Sequence, residues 1–126
     1  MIKTQILKSL SVTQTNGQHS ITSDISKETG GDDTGLNPHE LLEASLGACT
    51  SITVMMYAKK KNVPLEDVIT TVKILSEKNE VTEINRDIEL KGDLSAEMKE
   101  KLMSIANRCP MHNFIEKKST IITRQV

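Results

Sequence analysis

The sequence predicts an α+β fold in which antiparallel sheets surround one long central helix. Three observations lead to this prediction. Residues 2–23 and 68–90 alternate apolar and polar side chains, which indicates two β-hairpins. A long apolar stretch lies between them, from Asn37 to about Lys60, and an amphipathic segment follows them at 95–108. Strands and helices that come in separate runs are typical of α+β domains.

The first hairpin is predicted from its turn. Residues 2–13 form one strand by their alternation, and Gln18 to Ser23 form the returning strand. Asn16-Gly17 between them is a strong signal for a tight hairpin turn. The loop that follows, 26–36, is rich in glycine and aspartate and leads into the long apolar segment.

The long apolar segment predicts a helix with a defined start. Asn37 can cap it, Pro38 fits its first position, and Glu40 can complete a capping box. Its apolar residues fall on all sides, and a helix of that kind is normally enclosed by protein. One small sheet cannot cover it, so we expect a homodimer with this helix near its axis.

The second hairpin carries one unexpected charge. Residues 68–75 and 84–90 read as its strands, joined at Asn79-Glu80. Arg86 stands on the apolar face of the second strand. It either reaches past the apolar face to the surface, or it is a buried cation with an anionic partner such as a thiolate or carboxylate.

The last third of the chain contains the second cysteine. Residues 95–108 form an amphipathic helix whose predicted buried residues are Met98, Leu102, Ile105 and Ala106. Pro110 forces a break at Cys109 and can open a short second helix. Cys109 would then lie at a helix N-terminus, which favours a thiolate. Residues 120–125 are predicted to close the chain as a strand.

Composition limits the classes of function. The chain has 126 residues, so we expect a single domain spanning 1–126. One Phe, one Tyr, no Trp and a net charge of -1 argue against a nucleic-acid partner. The N-terminus has no apolar signal segment and the long helix carries several Ser, Thr and Glu residues. We therefore expect a cytoplasmic protein without a membrane partner.

The two cysteines allow three interpretations. Both can be inert core residues, because free cysteine is often buried. They can instead form a redox pair, in which one thiolate is oxidised to a sulfenic acid and the other condenses with it. The third interpretation is a zinc site built from Cys49, Cys109, His112 and His39, although His39 lies roughly 15 Å along the helix from Cys49.

Two motifs stand at a fixed separation in the chain. The first reads Asn37-Pro38-x-Glu40-Leu41-Leu42-Glu43-Ala44-x-Leu46-Gly47-Ala48-Cys49-Thr50, and Cys109-Pro110-Met111-His112 follows with its cysteine 60 positions after the first. Together they resemble the OsmC/Ohr family, most closely its shorter OsmC-like members with a Cys-Pro-x-His motif, and the similarity extends across the chain. The resemblance implies an intertwined homodimer with active sites at its subunit interface.

The resemblance also implies a reaction. It is the thiol-dependent reduction of organic hydroperoxides in oxidative stress defence, with a small dithiol or lipoyl-type reductant. By motif position Cys49 would be the peroxidatic nucleophile and Cys109 the resolving thiol. We expect no cofactor and no metal ion. The alternative function is a non-catalytic binding protein for an apolar or thiol-containing small molecule.

The chain departs from the peroxidase pattern at two positions. The arginine that supports the thiolate in the N-terminal hairpin is missing, since no arginine precedes Arg86. The residue after Asn-Pro is His39, and the glutamate comes one position later as Glu40. The residues predicted to tune or orient the thiolate are therefore Arg86 and His112, followed by Glu40 and His39.

Overall fold

The computed structural model describes residues 1–78 and 80–126 and confirms the α+β prediction. It contains two antiparallel sheets and one long helix. The elements are β1 (Lys3–Lys8), β2 (Ser11–Thr15), β3 (Ser20–Ser23), α1 (Pro38–Lys61), β4 (Leu65–Lys78), β5 (Val81–Gly92), α2 (Ala96–Ala106) and α3 (Pro110–Ile115). The chain divides into two compact units, Met1–Ala44 and Ser45–Val126.

The first unit contains a three-stranded sheet in the order β1-β2-β3. The predicted turn at Asn16-Gly17 is confirmed, because it joins β2 to β3 and the Asn16 side chain accepts hydrogen bonds from two N–H groups of the turn. The prediction of one strand over 2–13 is wrong. Ser9 adopts a left-handed conformation with φ of 53°, and the chain reverses there to pair β1 with β2.

A buried carboxylate organises the loop before α1. Asp24 is 2% exposed, and its Oδ2 accepts hydrogen bonds from the Thr34 hydroxyl at 2.7 Å and from the Asp32 and Thr34 N–H groups at 3.2 Å. Its Oδ1 accepts from the Ile25 N–H at 2.8 Å. The hydrogen bond from the Thr34 hydroxyl lowers the pKa of Asp24, and the hydrogen bonds from the N–H groups lower it further. Burial acts in the opposite direction, but the pKa remains below its ordinary value of 3.8. One ionised side chain thus fixes a loop of ten residues.

We expect Asp24→Asn to lower the free energy of unfolding, because an amide offers one acceptor oxygen where the carboxylate offers two. A carboxyl group with a lowered folded-state pKa stabilises the fold above its unfolded-state pKa, here near 3.8. That contribution disappears as the pH falls through the folded-state pKa. Urea unfolding at a series of pH values should therefore show that the free energies of unfolding of wild type and Asp24→Asn approach each other below pH 3.8. The exposed Asp32→Asn variant is the control, and an equal loss there would contradict the prediction.

Helix α1 begins as predicted. Pro38 is its first residue, the Asn37 side chain accepts a hydrogen bond from the Glu40 N–H at 3.0 Å, and the Glu40 carboxylate accepts from the Asn37 N–H at 2.8 Å. This reciprocal pair is the predicted capping box.

Within this chain α1 buries one face. The buried residues recur at intervals of four: Leu46, Thr50, Val54 and Ala58. On other faces Ile52 is 59% exposed and Met56 is 66% exposed. Length and hydropathy alone would allow α1 to cross a membrane, with a mean hydropathy of 1.3. Two residues of its buried stripe, Val54 and Ala58, pack in the core of the second unit.

The second unit forms its core between α1, the β4–β5 hairpin and α2. Val54 and Ala58 of α1 contact Leu102 and Ala106 of α2, and Val68, Ile88 and Leu90 of the hairpin are among the residues packed against them. The predicted strands 68–75 and 84–90 are present and longer. Asn79, where the connecting turn was predicted, lies outside the described residues. In α2 the prediction for Met98 is wrong, since its side chain is 37% exposed while Leu102 is fully buried.

The C-terminal segment differs from its prediction. Residues 120–125 form no strand, and neither of the two described sheets pairs with them. Ile121 is 88% exposed and Ile122 is 78% exposed. A strand needs a partner for its backbone hydrogen bonds, and this segment has none in the two described sheets.

Candidate thiol site

Cys109 is the cap of α3 and the centre of the site. Its side chain is fully buried, and its Sγ accepts a hydrogen bond from the His112 N–H at 3.3 Å. The sequence explains this arrangement, because Pro110 favours the extended conformation of Cys109 and is itself the first residue of α3. The predicted position of Cys109 at a helix N-terminus is confirmed.

Thr50 of α1 approaches the same sulfur. Its Oγ1 lies 3.6 Å from Cys109 Sγ and 2.7 Å from the Leu46 carbonyl oxygen, and the side chain is fully buried. A hydroxyl has one proton, so Thr50 cannot donate to both at once. When Cys109 carries its proton, the thiol can donate to Thr50. When Cys109 is a thiolate, only Thr50 can be the donor, and its proton must turn from Leu46 to the sulfur.

Arg86 of β5 brings a positive charge to this cluster. Its Nη1 donates to Thr50 Oγ1 at 3.0 Å, to the Ala106 carbonyl oxygen at 3.3 Å and to Cys109 Sγ at 3.9 Å. Its Nη2 donates to Asn107 Oδ1 at 2.8 Å. The side chain shares the inward face of β5 with the half-buried Ile84 and Ile88. Of the two interpretations of Arg86, the structure favours the cation that contacts a sulfur atom.

Cys49 is the second thiol of the cluster. It precedes Thr50 on α1, is half-buried and is not in a disulfide. Its side chain is one of the groups that lower the pKa of Cys109. The two thiols therefore differ in access, because Cys109 is closed off from solvent and Cys49 is partly open to it.

Several groups determine the ionisation of Cys109. Burial raises the pKa of this thiol, while hydrogen bonds from the Thr50 hydroxyl, the His112 N–H and the Cys49 side chain lower it. The Arg86 charge lowers it further. The lowering effects win, so the pKa of Cys109 lies below its ordinary value. Each of these donors favours the thiolate over the thiol.

An open cavity of about 250 Å³ lies beside Arg86. Its walls combine apolar and charged side chains: Leu46, Thr82, Ile84, Arg86, His112, Ile115 and Glu116. His112 Nε2 lies 3.4 Å from a Glu116 carboxylate oxygen. The cavity can accept a small molecule that has an apolar body and a polar group.

The structure brings together four of the six predicted site residues: Cys49, Cys109, Arg86 and, through its backbone N–H, His112. The other two, His39 and Glu40, belong to the first compact unit, and their predicted roles stay predictions. No group of three or more His, Cys, Asp or Glu side chains that could hold a metal occurs among residues 1–78 and 80–126. Sequence reasoning missed Thr50 and Asn107. Thr50 could have been noticed in the sequence, because its hydroxyl lies among the apolar residues Leu46, Val54 and Ala58 at intervals of four along α1.

The fold and the site together define a small α+β protein with two adjacent thiols, one of them in a cluster of hydrogen-bond donors. Comparison with protein families identifies the group. The model of the OsmC-like protein family matches residues 30–124. The chain therefore belongs to the OsmC-like family, and the resemblance seen in its motifs is confirmed.

Several solved structures share this fold. An OsmC like protein from Mycoplasma pneumoniae is 27% identical with a TM-score of 0.77, and the match covers 92% of this chain and 86% of that one. An organic hydroperoxide resistance protein OsmC from Legionella pneumophila is 25% identical with a TM-score of 0.70, covering 92% and 88%. An organic hydroperoxide resistance protein from Elizabethkingia anophelis is 20% identical, with a TM-score of 0.70 and coverage of 92% and 88%. No curated protein matches the chain in sequence.

Proposed function

We propose that this chain is a thiol-dependent redox protein that reduces organic hydroperoxides through Cys49 and Cys109 in oxidative stress defence. The observation that carries the proposal is the cluster at Cys109 Sγ, where Thr50, Arg86 and the His112 N–H converge. Cys49 also lowers the pKa of this thiol. Two cysteines without a redox role do not require donors of this kind. The similarity to the organic hydroperoxide resistance protein from Legionella pneumophila also supports it.

The difference in solvent access between the two thiols supports a separate role for each. A peroxide must reach the sulfur that attacks it, and Cys49 is the partly open thiol while Cys109 is fully buried. Cys49 is therefore the nucleophile and Cys109 the resolving thiol. A stabilised thiolate at Cys109 suits this second role, because it is the attacking group when the disulfide forms and the better leaving group when the disulfide is reduced.

The reaction consumes one hydroperoxide and one dithiol. The Cys49 thiolate attacks the terminal oxygen of the hydroperoxide, the O–O bond breaks, and Cys49 becomes a sulfenic acid, while the alkoxide that leaves takes a proton from solvent to become the alcohol. The Cys109 thiolate then attacks the Cys49 sulfur, an S–S bond forms, and the sulfenic oxygen leaves as hydroxide, which takes a proton from solvent to become water. A small dithiol or lipoyl-type reductant restores both thiols by exchange and is itself oxidised to a disulfide.

The proposal includes a homodimer in the cytoplasm. The exposed Ile52 and Met56 of α1 would be covered by a second copy, because apolar side chains gain stability when they leave water. Sedimentation of the reduced protein at the mass of one chain at micromolar concentration would contradict the dimer.

The second candidate function is non-catalytic binding of an apolar or thiol-containing small molecule. The cavity beside Arg86 favours it, because its apolar walls and charged rim can hold such a molecule without any reaction. The two candidates differ in what happens to the thiols, since binding alone leaves both of them reduced.

The deciding experiment adds cumene hydroperoxide to the reduced protein and maps the thiols by mass spectrometry. We expect a Cys49–Cys109 disulfide to form rapidly and stoichiometric alcohol to be released. Cys49→Ser should abolish peroxide consumption, while Asn113→Ala, an exposed change on α3, should leave it unchanged. Two free thiols under excess peroxide would end the peroxidase proposal and favour the binding protein.

A further inference from the structure

We propose that the cavity beside Arg86 is a binding site for a small aliphatic carboxylate, whose oxygens accept hydrogen bonds from the Arg86 guanidinium. The inference names the chemical class of the ligand. It does not rest on the peroxidase proposal, because binding of this kind requires no reaction at either thiol.

Arg86 is a half-buried cation whose hydrogen bonds go to uncharged oxygens and a thiol sulfur. Its four acceptors are the Thr50 hydroxyl, the Ala106 carbonyl oxygen, the Asn107 side-chain oxygen and the Cys109 sulfur. In the part of the chain that the structure describes, no aspartate or glutamate forms an ion pair with it. A guanidinium keeps its charge at all ordinary pH values, so this one can still take an anionic partner.

Arg86 also keeps hydrogen-bond donors for such a partner. A guanidinium has five N–H groups, and the contacts of Arg86 use those of Nη1 and one of Nη2. The Nε–H therefore has no acceptor among residues 1–78 and 80–126. Within the same residues no side-chain nitrogen is both buried and without a partner, so Nε is open to solvent. A carboxylate can accept from Nε–H and from the second N–H of Nη2.

The walls of the cavity select the rest of the ligand. Leu46, Ile84 and Ile115 supply apolar surface, against which an aliphatic chain gains stability by leaving water. The volume of about 250 Å³ suits a small molecule, since pockets for drug-sized ligands begin near about 300 Å³.

The charges on the walls favour an anion. Arg86 carries the permanent positive charge among the described residues that line the cavity. The Glu116 side chain on the same wall is 69% exposed and lies 3.4 Å from His112 Nε2. Its negative charge is therefore screened by solvent, whereas that of the half-buried guanidinium is screened less. A monoanion with an apolar body matches this arrangement.

A ligand at Arg86 would also affect the thiol site. Arg86 Nη1 lies 3.9 Å from Cys109 Sγ, so a bound carboxylate shares the guanidinium with that sulfur. The negative charge of the ligand then disfavours ionisation of Cys109. By reciprocity, ionisation of Cys109 weakens binding of the carboxylate.

The test uses hexanoate as the probe and NMR of the reduced protein as the measurement. We expect the methyl signals of Ile84 and Ile115 and the Nε–H signal of Arg86 to move together along one saturable curve. The methyl signal of the exposed Ile69 on β4 is the control and should stay in place. No movement at millimolar hexanoate would overturn the inference.

Two further ligands test the chemical class in the wild-type protein. 1-Hexanol has the same aliphatic body without the charge and should bind at least about tenfold more weakly, the effect of losing a hydrogen bond to a charged group. Equal affinities for hexanoate and hexanol would show an apolar cavity only and would overturn the inference. Inorganic phosphate that bound as tightly as hexanoate would show a general anion site and would also overturn it.

Two variants of the cavity wall should act differently. Arg86→Gln should weaken hexanoate binding at least about tenfold, and a thermal melt checks its fold. Glu116→Gln removes a negative charge from the same wall, so it should bind hexanoate at least as tightly as the wild type does. Equal weakening in both variants would contradict binding through the guanidinium. If Arg86→Gln did not fold, the comparison with hexanol would decide.

The effect on the thiol is measured in a Cys49→Ser background. Saturating hexanoate should raise the pKa of Cys109 in a titration of the thiolate absorbance. An unchanged titration would place the carboxylate away from Arg86 and overturn the inference. None of these measurements uses a peroxide, so a protein that binds hexanoate but consumes no hydroperoxide would contradict the peroxidase proposal alone.

Discussion

Thr50→Val should lower the fraction of Cys109 thiolate at neutral pH by at least about tenfold. Thr50 is the strongest of the hydrogen-bond partners that lower the pKa of this thiol, and valine keeps the branched shape without the hydroxyl. A hydrogen bond to a charged group contributes about 1.5–3 kcal/mol, which is the basis of the tenfold estimate. The variant should therefore raise the pKa of Cys109. A pH titration of the thiolate absorbance in a Cys49→Ser background measures it.

Thr50→Ser is the matched control, because it keeps the hydroxyl and removes only a methyl group. Its titration should stay close to that of the Cys49→Ser parent. The direction of the pH effect follows from the ionisation. In Thr50→Val with Cys49 present, where the pKa of Cys109 is raised, disulfide formation should slow near neutral pH and recover in alkaline solution. Equal titrations for the valine and serine variants would show that the hydroxyl does not stabilise the thiolate.

The sequence singled out the two cysteines and Arg86, but not the contacts that join Arg86 to Thr50 and Cys109. Cys109 could be placed at a helix start because a proline acts locally, on the residue before it and on the turn after it. Arg86 could be recognised as unusual because a strand has a period of two. That its guanidinium contacts Thr50 and Cys109 depends on how β5 packs against two helices, and no local pattern encodes that.

The same distinction separates the confirmed elements from the wrong ones. The capping box of α1 and the Asn16-Gly17 turn depend on residues within a few positions of each other, so their sequences suffice. The strand predicted at 120–125 needs a partner strand, and the reversal at Ser9 needs a left-handed residue that is not glycine. The local sequence of either segment carries no information about which strand it pairs with.

Leu102→Ala should produce the largest loss of stability, about 2–5 kcal/mol in the free energy of unfolding. Leu102 is fully buried in the core of the second unit, between Val54 and Ala58 of α1 and Ala106 of its own helix. Removing its side chain loses the transfer free energy and leaves a cavity that these neighbours only partly close. Urea unfolding followed by circular dichroism measures the change.

The adjacent Met103→Ala is the control, because it lies on the same helix, keeps a good helix former and is 39% exposed in the parent. Its loss should be well below that of Leu102→Ala. The Leu102→Ala variant also tests the thiol site. Helix α2 ends at Ala106, whose carbonyl oxygen accepts a hydrogen bond from Arg86, and Cys109 follows three residues later. If α2 holds that end of the site in place, Leu102→Ala should slow disulfide formation as well, at urea concentrations where the protein is still folded. Equal losses of stability in the two variants would contradict the packing described for α2.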